Sequence, residues 1–431
     1  MQTAISEKEA RHPDAAIAEK ILRSCVHCGF CNATCPTYRL SGSELEGPRG
    51  RIYLIKGVLE GRIGHTRSVV DHLDNCLSCL ACETTCPSGV RYSHLIDSAR
   101  ARIEEQGYRR GLLVRAKRWL LARLLPDPRL FRLSLSLGRL AKPVAFLLPG
   151  TLRSLVGMIP LFLPRRSRLS RARLHPAEGE KKARVALLTG CAQQVLGPEI
   201  NDASLRLLKR VGCEVVIAEG QGCCGALVYH MGNRRDSLPM MKNNIDRWER
   251  EMQGEGLDYI VINTSGCGVV VRDYGHIFRD DPEYAQKAAR VAAITRDISE
   301  VVATLGLPVR EKPPSQGIRL AYHDACSLQH GQGIREQPRA LLRQAGFELV
   351  EIPDGHLCCG SAGTYNLLKP TTAAELGRQK AQAIASLDAQ VIASGNIGCM
   401  EQISRYAGRP VLHTTQLLDW ATGGRKPRKL R

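Results

Sequence analysis

The tightest constraint on this chain is a cysteine run that occurs twice. Residues 25–36 read CVHCGFCNATCP and residues 76–87 read CLSCLACETTCP. Both follow C-x2-C-x2-C-x3-C-P, the spacing that holds four-iron, four-sulfur clusters in bacterial two-cluster proteins. Three thiolates at short intervals wrap one cubane from a single loop. The fourth lies too far along to close the same cube and reaches the other cluster. The spacing therefore predicts crossed ligand sets: Cys25, Cys28, Cys31 and Cys86 for one cluster, and Cys76, Cys79, Cys82 and Cys35 for the other. Paired C-x2-C also binds zinc, but eight cysteines in this double pattern, each run closed by Pro36 or Pro87, favour iron and sulfide. Such clusters pass single electrons and have no open position for a substrate.

A chain of 431 residues is long enough for several domains. Its 43% hydrophobic and 24% charged content is that of an ordinary globular protein. The opening MQTAISEKEARHPDAA has no apolar core of a signal peptide. Iron-ligating thiols need a reducing compartment, so the expected location is cytoplasmic. The formal charge of +19 is uneven: Arg109 to Arg184 holds 19 Lys and Arg against 3 acids. Within that segment the charge-free stretches 143–152 and 154–164 fall short of the ~18 residues of a membrane span. Its amphipathic run GLLVRAKRWLLARLL suits either a membrane surface or a protein partner. Nucleic acid is not expected as a partner, because the segment is rich in Leu and Pro and carries no stacking motif.

The second half is an internal duplication. Cys191, Cys223-Cys224-Gly225 and Cys267 are echoed by Cys326, Cys358-Cys359-Gly360 and Cys399, with an offset of 135 at the first two points. In each copy apolar runs such as RVALLTG, CEVVIAE and YIVINTSG, or IRLAYHD, ELVEI and QVIASG, alternate with helical patterns. That is a parallel α/β reading, and every repeat cysteine then falls just past the carboxyl end of a strand, where open sheets gather their sites. The lone Cys213, matched by Phe347, reads as core. The expected fold class is therefore α+β and α/β multidomain: a helical two-cluster ferredoxin-type domain (1–105), a basic amphipathic linker (106–182), and a cysteine-rich domain pair (183–310 and 311–431).

With both cysteine systems in view, the chain resembles the iron–sulfur subunits of glycolate oxidase (glycolate dehydrogenase). SCVHCGFCNATCPTY, GPRGRIYLIKGVLEG and CETTCPSGVRY carry the likeness. The duplicated half is similar to the electron subunit of anaerobic glycerol-3-phosphate dehydrogenase and to heterodisulfide reductase subunits. The resemblance implies two [4Fe-4S] clusters and no catalytic residue on this chain. It also implies an FAD-binding partner subunit that oxidises glycolate to glyoxylate, a quinone or other acceptor, and a peripheral position on the inner face of the cytoplasmic membrane. Lactate, glycerol-3-phosphate or another 2-hydroxy acid is the alternative substrate.

In the wider family the Cys-Cys-Gly domain can hold a noncubane cluster through a fifth cysteine three residues before the last one. Here Thr264 and Asn396 occupy that position. The remaining sets, Cys191, Cys223, Cys224 and Cys267, and Cys326, Cys358, Cys359 and Cys399, can hold iron, act as redox thiols or be remnants. His27 and His94 flank the clusters. His323 and His356 precede second-copy cysteines as ligand candidates, with Leu188 and Gln221 as their counterparts in the first copy.

Overall fold

A computed structural model describes residues 1–109, 111–147 and 156–430. Residues 148–155, shared between the two charge-free stretches, lie outside that description. The amino-terminal module is helical. Ala15–Ser24, Pro48–Leu59, Arg67–Asp74 and Tyr92–Glu105 bury Leu22, Ile52, Ile55, Leu59, Leu73, Leu95 and Ile96 against one another. Pro48 starts its helix at a position that needs no amide donor. Thr66 caps the next helix by accepting from the Val69 amide.

Nine strands among the described residues form two sheets. In the first, β1 (Arg173–His175), β2 (Ala183–Leu188), β3 (Cys213–Ile217), β4 (Tyr259–Ile262) and β5 (Thr295–Asp297) lie in the order β1-β3-β2-β4-β5. In the second, β6 (Arg319–His323), β7 (Glu348–Glu351), β8 (Val391–Ser394) and β9 (Val411–His413) lie in the order β7-β6-β8-β9. Every pairing is parallel except β1 with β3. The fold is thus helical in the amino-terminal part and a duplicated, predominantly parallel α/β pair beyond it.

Two features depart from the sequence reading. β5 and β9 are three-residue strands, too short to show a pattern. β1 comes from the basic segment, so that stretch is more than a connector: it covers the edge of β3, as unpaired strand edges require. Among the described residues the second sheet has no such added strand, and its edge strand β7 has exposed Glu348 and Glu351 instead.

The two copies are fused through one core. Leu187, Leu205 and Val215 of the first pack with Tyr322, Leu342, Phe347 and Trp420 of the second. Cys213 is fully buried in this core, its thiol pushed up to about 12 chiefly by that burial. Helices Pro198–Arg210 and Thr414–Ala421 are tied together by Arg206 and Arg210, which reach the buried Asp419 at 2.6 and 3.1 Å.

The basic segment forms helices Leu112–Leu124 and Pro128–Leu140, broken at Pro126 and restarted by Asp127, which accepts from the Arg129 amide at 2.7 Å. No helix among the described residues is long and apolar enough to cross a membrane.

Candidate iron–sulfur sites

The two cysteine loops share one backbone shape. His27 and Gly29 in the first, and Ser78 and Leu80 in the second, stand at equivalent positions with φ between 51° and 89°. A non-glycine residue in that region costs about 1–2 kcal/mol. Three of the four bear side chains, so the packing around each loop imposes the turn. Such a turn directs amides toward sulfur: the Ser78 amide donates to Cys76 Sγ at 3.4 Å.

Cys25, Cys28, Cys31 and Cys86 line one cavity, with Pro48, Ile52 and Tyr92. Cys35, Cys76, Cys79 and Cys82 line a second, with Thr37, Arg51 and Tyr92. Cys82 borders both. Each run's fourth cysteine thus lies among the other run's first three. Burial drives up the thiols of Cys25 and Cys31, the latter to about 11, and neighbouring sulfurs add to the effect. Such thiols become thiolates only when a cation compensates them, which is what iron provides. The residues present therefore fit two four-iron clusters.

Around the second cavity lie groups the sequence reading passed over. Arg51 is 1% exposed; its guanidinium reaches Thr37 Oγ1 at 3.1 Å, Glu46 at 2.7 Å and the His72 carbonyl at 2.8 Å. Thr37 Oγ1 lies 3.3 Å from Cys35 Sγ. Burial works against the Arg51 charge, but Cys76, Tyr92, Cys35 and Glu46 more than offset it and hold the group protonated. Arg100 donates to the carbonyls of Leu73 and Cys76. The signal for Arg51 was present: it shares a helical stripe with Ile55 and Leu59, and a cation on an apolar stripe needs an anion nearby.

In the duplicated half all eight repeat cysteines lie beyond strand ends, as predicted. Cys191 and Cys223 approach to 3.5 Å between sulfurs, Cys326 and Cys358 to 3.9 Å. The glycines of both Cys-Cys-Gly turns have φ of 80° and 85°, and their amides donate to the first sulfur at 3.4 Å. Thr264 and Asn396 are engaged elsewhere. Thr264 Oγ1 donates to Gln193, and Asn396 donates to Ser327 Oγ at 3.2 Å while accepting from the Gly398 amide.

The two copies face different surroundings. The first opens at Cys223 into a cavity of about 950 Å³ lined by Arg123, Arg129, Arg132, Arg166, Arg168 and Arg171. The second is covered by the amino-terminal module: Cys358 packs with Leu77, Cys79 and Ala81 in one apolar cluster. Thr84 hydrogen-bonds His330 at 2.7 Å, and Arg39 reaches Asp354 at 3.2 Å, along the same contact. His94 joins the module to the first copy, 3.1 Å from Asp273. His27 is near Tyr53 at 5.7 Å between rings. His356 contributes its backbone carbonyl, which contacts the His330 ring at 3.1 Å.

Residues 21–90 match the 4Fe-4S dicluster domain family, and residues 185–272 and 320–404 each match the family described as Cysteine-rich domain. The chain is 41% identical to the glycolate oxidase iron-sulfur subunit of Escherichia coli K12, over 98% of this chain and 99% of that one. It belongs to the family of glycolate oxidase iron–sulfur subunits. A probable glycolate oxidase iron-sulfur subunit of Bacillus subtilis is 32% identical over 92% of this chain and 93% of its own length. Lactate utilization protein A of the same species is 28% identical over 55% of this chain and 99% of its own. A crystal structure of a hypothetical protein from Helicobacter pylori shares the fold, with TM-score 0.53 at 11% identity over 99% of this chain and 74% of that one. As a family member, the chain is an iron–sulfur component of an oxidoreductase system.

Proposed function

We propose that this chain is the electron-transfer subunit of a flavin-dependent glycolate dehydrogenase. In this reading Cys25, Cys28, Cys31 and Cys86 hold one [4Fe-4S] cluster, and Cys76, Cys79, Cys82 and Cys35 hold the other. Each cluster, when bound, takes up and releases one electron. An FAD-binding partner removes a hydride from glycolate and releases a proton, giving glyoxylate, and passes the two electrons on one at a time. A quinone or another acceptor receives them.

One observation supports this reading: the two cysteine-lined cavities adjoin at Cys82, with an exposed cysteine on one side and a buried one against the second copy on the other. At one end Cys28 is exposed beside Val26, Phe30 and Tyr53, which are 68%, 64% and 51% exposed. That apolar rim suits a protein partner. At the other end Cys79 shares an apolar cluster with Cys358.

The basic segment is read as the contact with the inner face of the cytoplasmic membrane. Leu113, Trp119, Leu137, Leu140 and Phe162 are 87%, 64%, 58%, 76% and 82% exposed, and the same segment supplies the arginines of the cavity at Cys223. Apolar side chains set among cations suit an anionic lipid surface.

The test uses the chain alone and joined to its flavin partner. Alone it should be inert to glycolate. In the complex glycolate should bleach the clusters, and Cys79→Ser should stop onward transfer while flavin reduction persists. The likeness to lactate utilization protein A supports a second reading, with lactate as substrate: clusters that bleach with lactate and not glycolate would decide for it.

A further inference from the structure

His323 ends β6, is 1% exposed, and has neither ring nitrogen hydrogen-bonded. Buried polar groups without partners are uncommon and destabilising. A core histidine normally spends at least one nitrogen on a carbonyl or carboxylate. Here the neighbours with spare bonding capacity are thiols: the ligand atoms of His323, Cys359 and Cys399 all lie within 4.8 Å of one another. Cys358 adjoins Cys359 in the chain, and Cys326 Sγ is 3.9 Å from Cys358 Sγ. Donors bound to one first-row metal at about 2.0–2.3 Å lie roughly 3.5–4 Å apart, so the set needs only slight contraction.

A second group points the same way. Lys380 is 4% exposed and within electrostatic reach of Cys359 and Cys358 first, and of Asp354 and Asp324 after them. Its ammonium donates to the Asp354 carbonyl at 3.0 Å, and among the described residues it forms no ion pair with a carboxylate. A buried cation requires a compensating anion. Thiolates around a metal would supply the larger part of it. At the same offset of 135 the first copy has Leu188 for His323 and Ile245 for Lys380, both buried and apolar. The two copies keep the same thiols and differ in the groups that would complete and balance a metal site.

We propose that the second copy is an iron–sulfur site in which the His323 imidazole joins Cys326, Cys358, Cys359 and Cys399 as fifth ligand, and that the first copy does not share it. The proposal rests on the electron path above, whose inner end it defines. Five donors exceed the four of a structural zinc site. A neutral imidazole in place of a fifth thiolate removes one negative charge, and histidine ligation raises cluster potentials. The site thereby becomes an acceptor for an electron arriving past Cys79.

The test is made on anaerobically purified full-length chain labelled with ¹⁵N-histidine, by metal analysis and pulsed EPR of the reduced protein. Wild type should contain iron beyond the roughly eight atoms of two four-iron clusters and show a histidine nitrogen coupling. His323→Cys should keep the extra iron and lose the coupling. His323→Leu, which copies the first repeat, should fall to about eight irons. A wild type without histidine coupling, zinc in place of the extra iron, or coupling that survives in His323→Cys would each overturn the proposal. The dicluster signals report the underlying reading separately: their absence from wild type overturns that reading, whereas their presence without histidine coupling overturns only this one.

Discussion

Replacing Arg51 by Gln should lower the reduction potential of one cluster and leave the other nearly unchanged. Arg51 is a buried cation linked to Cys35 Sγ through a single hydroxyl, Thr37 Oγ1, by contacts of 3.1 and 3.3 Å. Taking the guanidinium at about 8 Å from the cluster charge and an effective dielectric of about 20, its attraction for one added electron is ~2 kcal/mol. For a one-electron couple that is about 90 mV. The sign follows from electrostatics: a fixed positive charge favours the reduced state, so its loss moves the potential down. Arg51→Lys keeps the charge and should shift far less. Glu46 retains His72 Nδ1 at 2.7 Å and Asn75 Nδ2 at 2.9 Å, so the loop keeps two of its ties. The assay is an EPR-monitored redox titration of the purified chain. A Gln variant with both clusters present and no shift, or with equal shifts at both, would refute the electrostatic argument.

Cys35→Ser should disturb the cluster among Cys76, Cys79 and Cys82, whose cavity it lines, and spare the one at Cys25, as resolved by the two EPR signals. Gly360→Ala should cost more stability than Gly225→Ala in thermal melts. An added Cβ meets the Ala373 carbonyl at 2.6 Å in the first case and the flexible Met241 side chain at 2.9 Å in the second, on top of about 1–2 kcal/mol for the left-handed backbone in each. Burial would raise the Asp74 carboxyl, but Arg109 and Arg118 hold it at about 2 against an ordinary 3.8. A depressed carboxyl stabilises above its unfolded pKa and loses that contribution as pH falls through the folded one. Asp74→Asn should therefore be less stable at neutral pH by about 2 kcal/mol, with the gap to wild type closing between about pH 4 and 2 in denaturant titrations. Neutralising Arg165, Arg166, Arg168, Arg171 and Arg173 should weaken sedimentation with anionic vesicles by up to ~5 kcal/mol, and high salt should do the same to the unaltered chain. Binding indifferent to both would remove the membrane contact.

The sequence by itself determined what depends on short-range spacing. Two C-x2-C-x2-C-x3-C-P runs mark the dicluster domain that residues 21–90 match, because a cubane's geometry permits few ways to wrap it. The constant offset between Cys191 and Cys326 fixes a duplication, and apolar runs of four to six residues fix the longer parallel strands. Tertiary structure alone decided what depends on which surfaces meet. The same four thiols stand in each copy, yet one set opens into an arginine-lined cavity and the other lies under the Cys76–Cys82 loop. Spacing within a repeat carries no trace of that difference. His323 shows the limit most clearly. In the sequence it was a ligand candidate on position alone, three residues before Cys326 and without a histidine counterpart in the first copy. Only the packed sheet leaves both its nitrogens unpaired among thiols, because burial removes the water that would otherwise satisfy them.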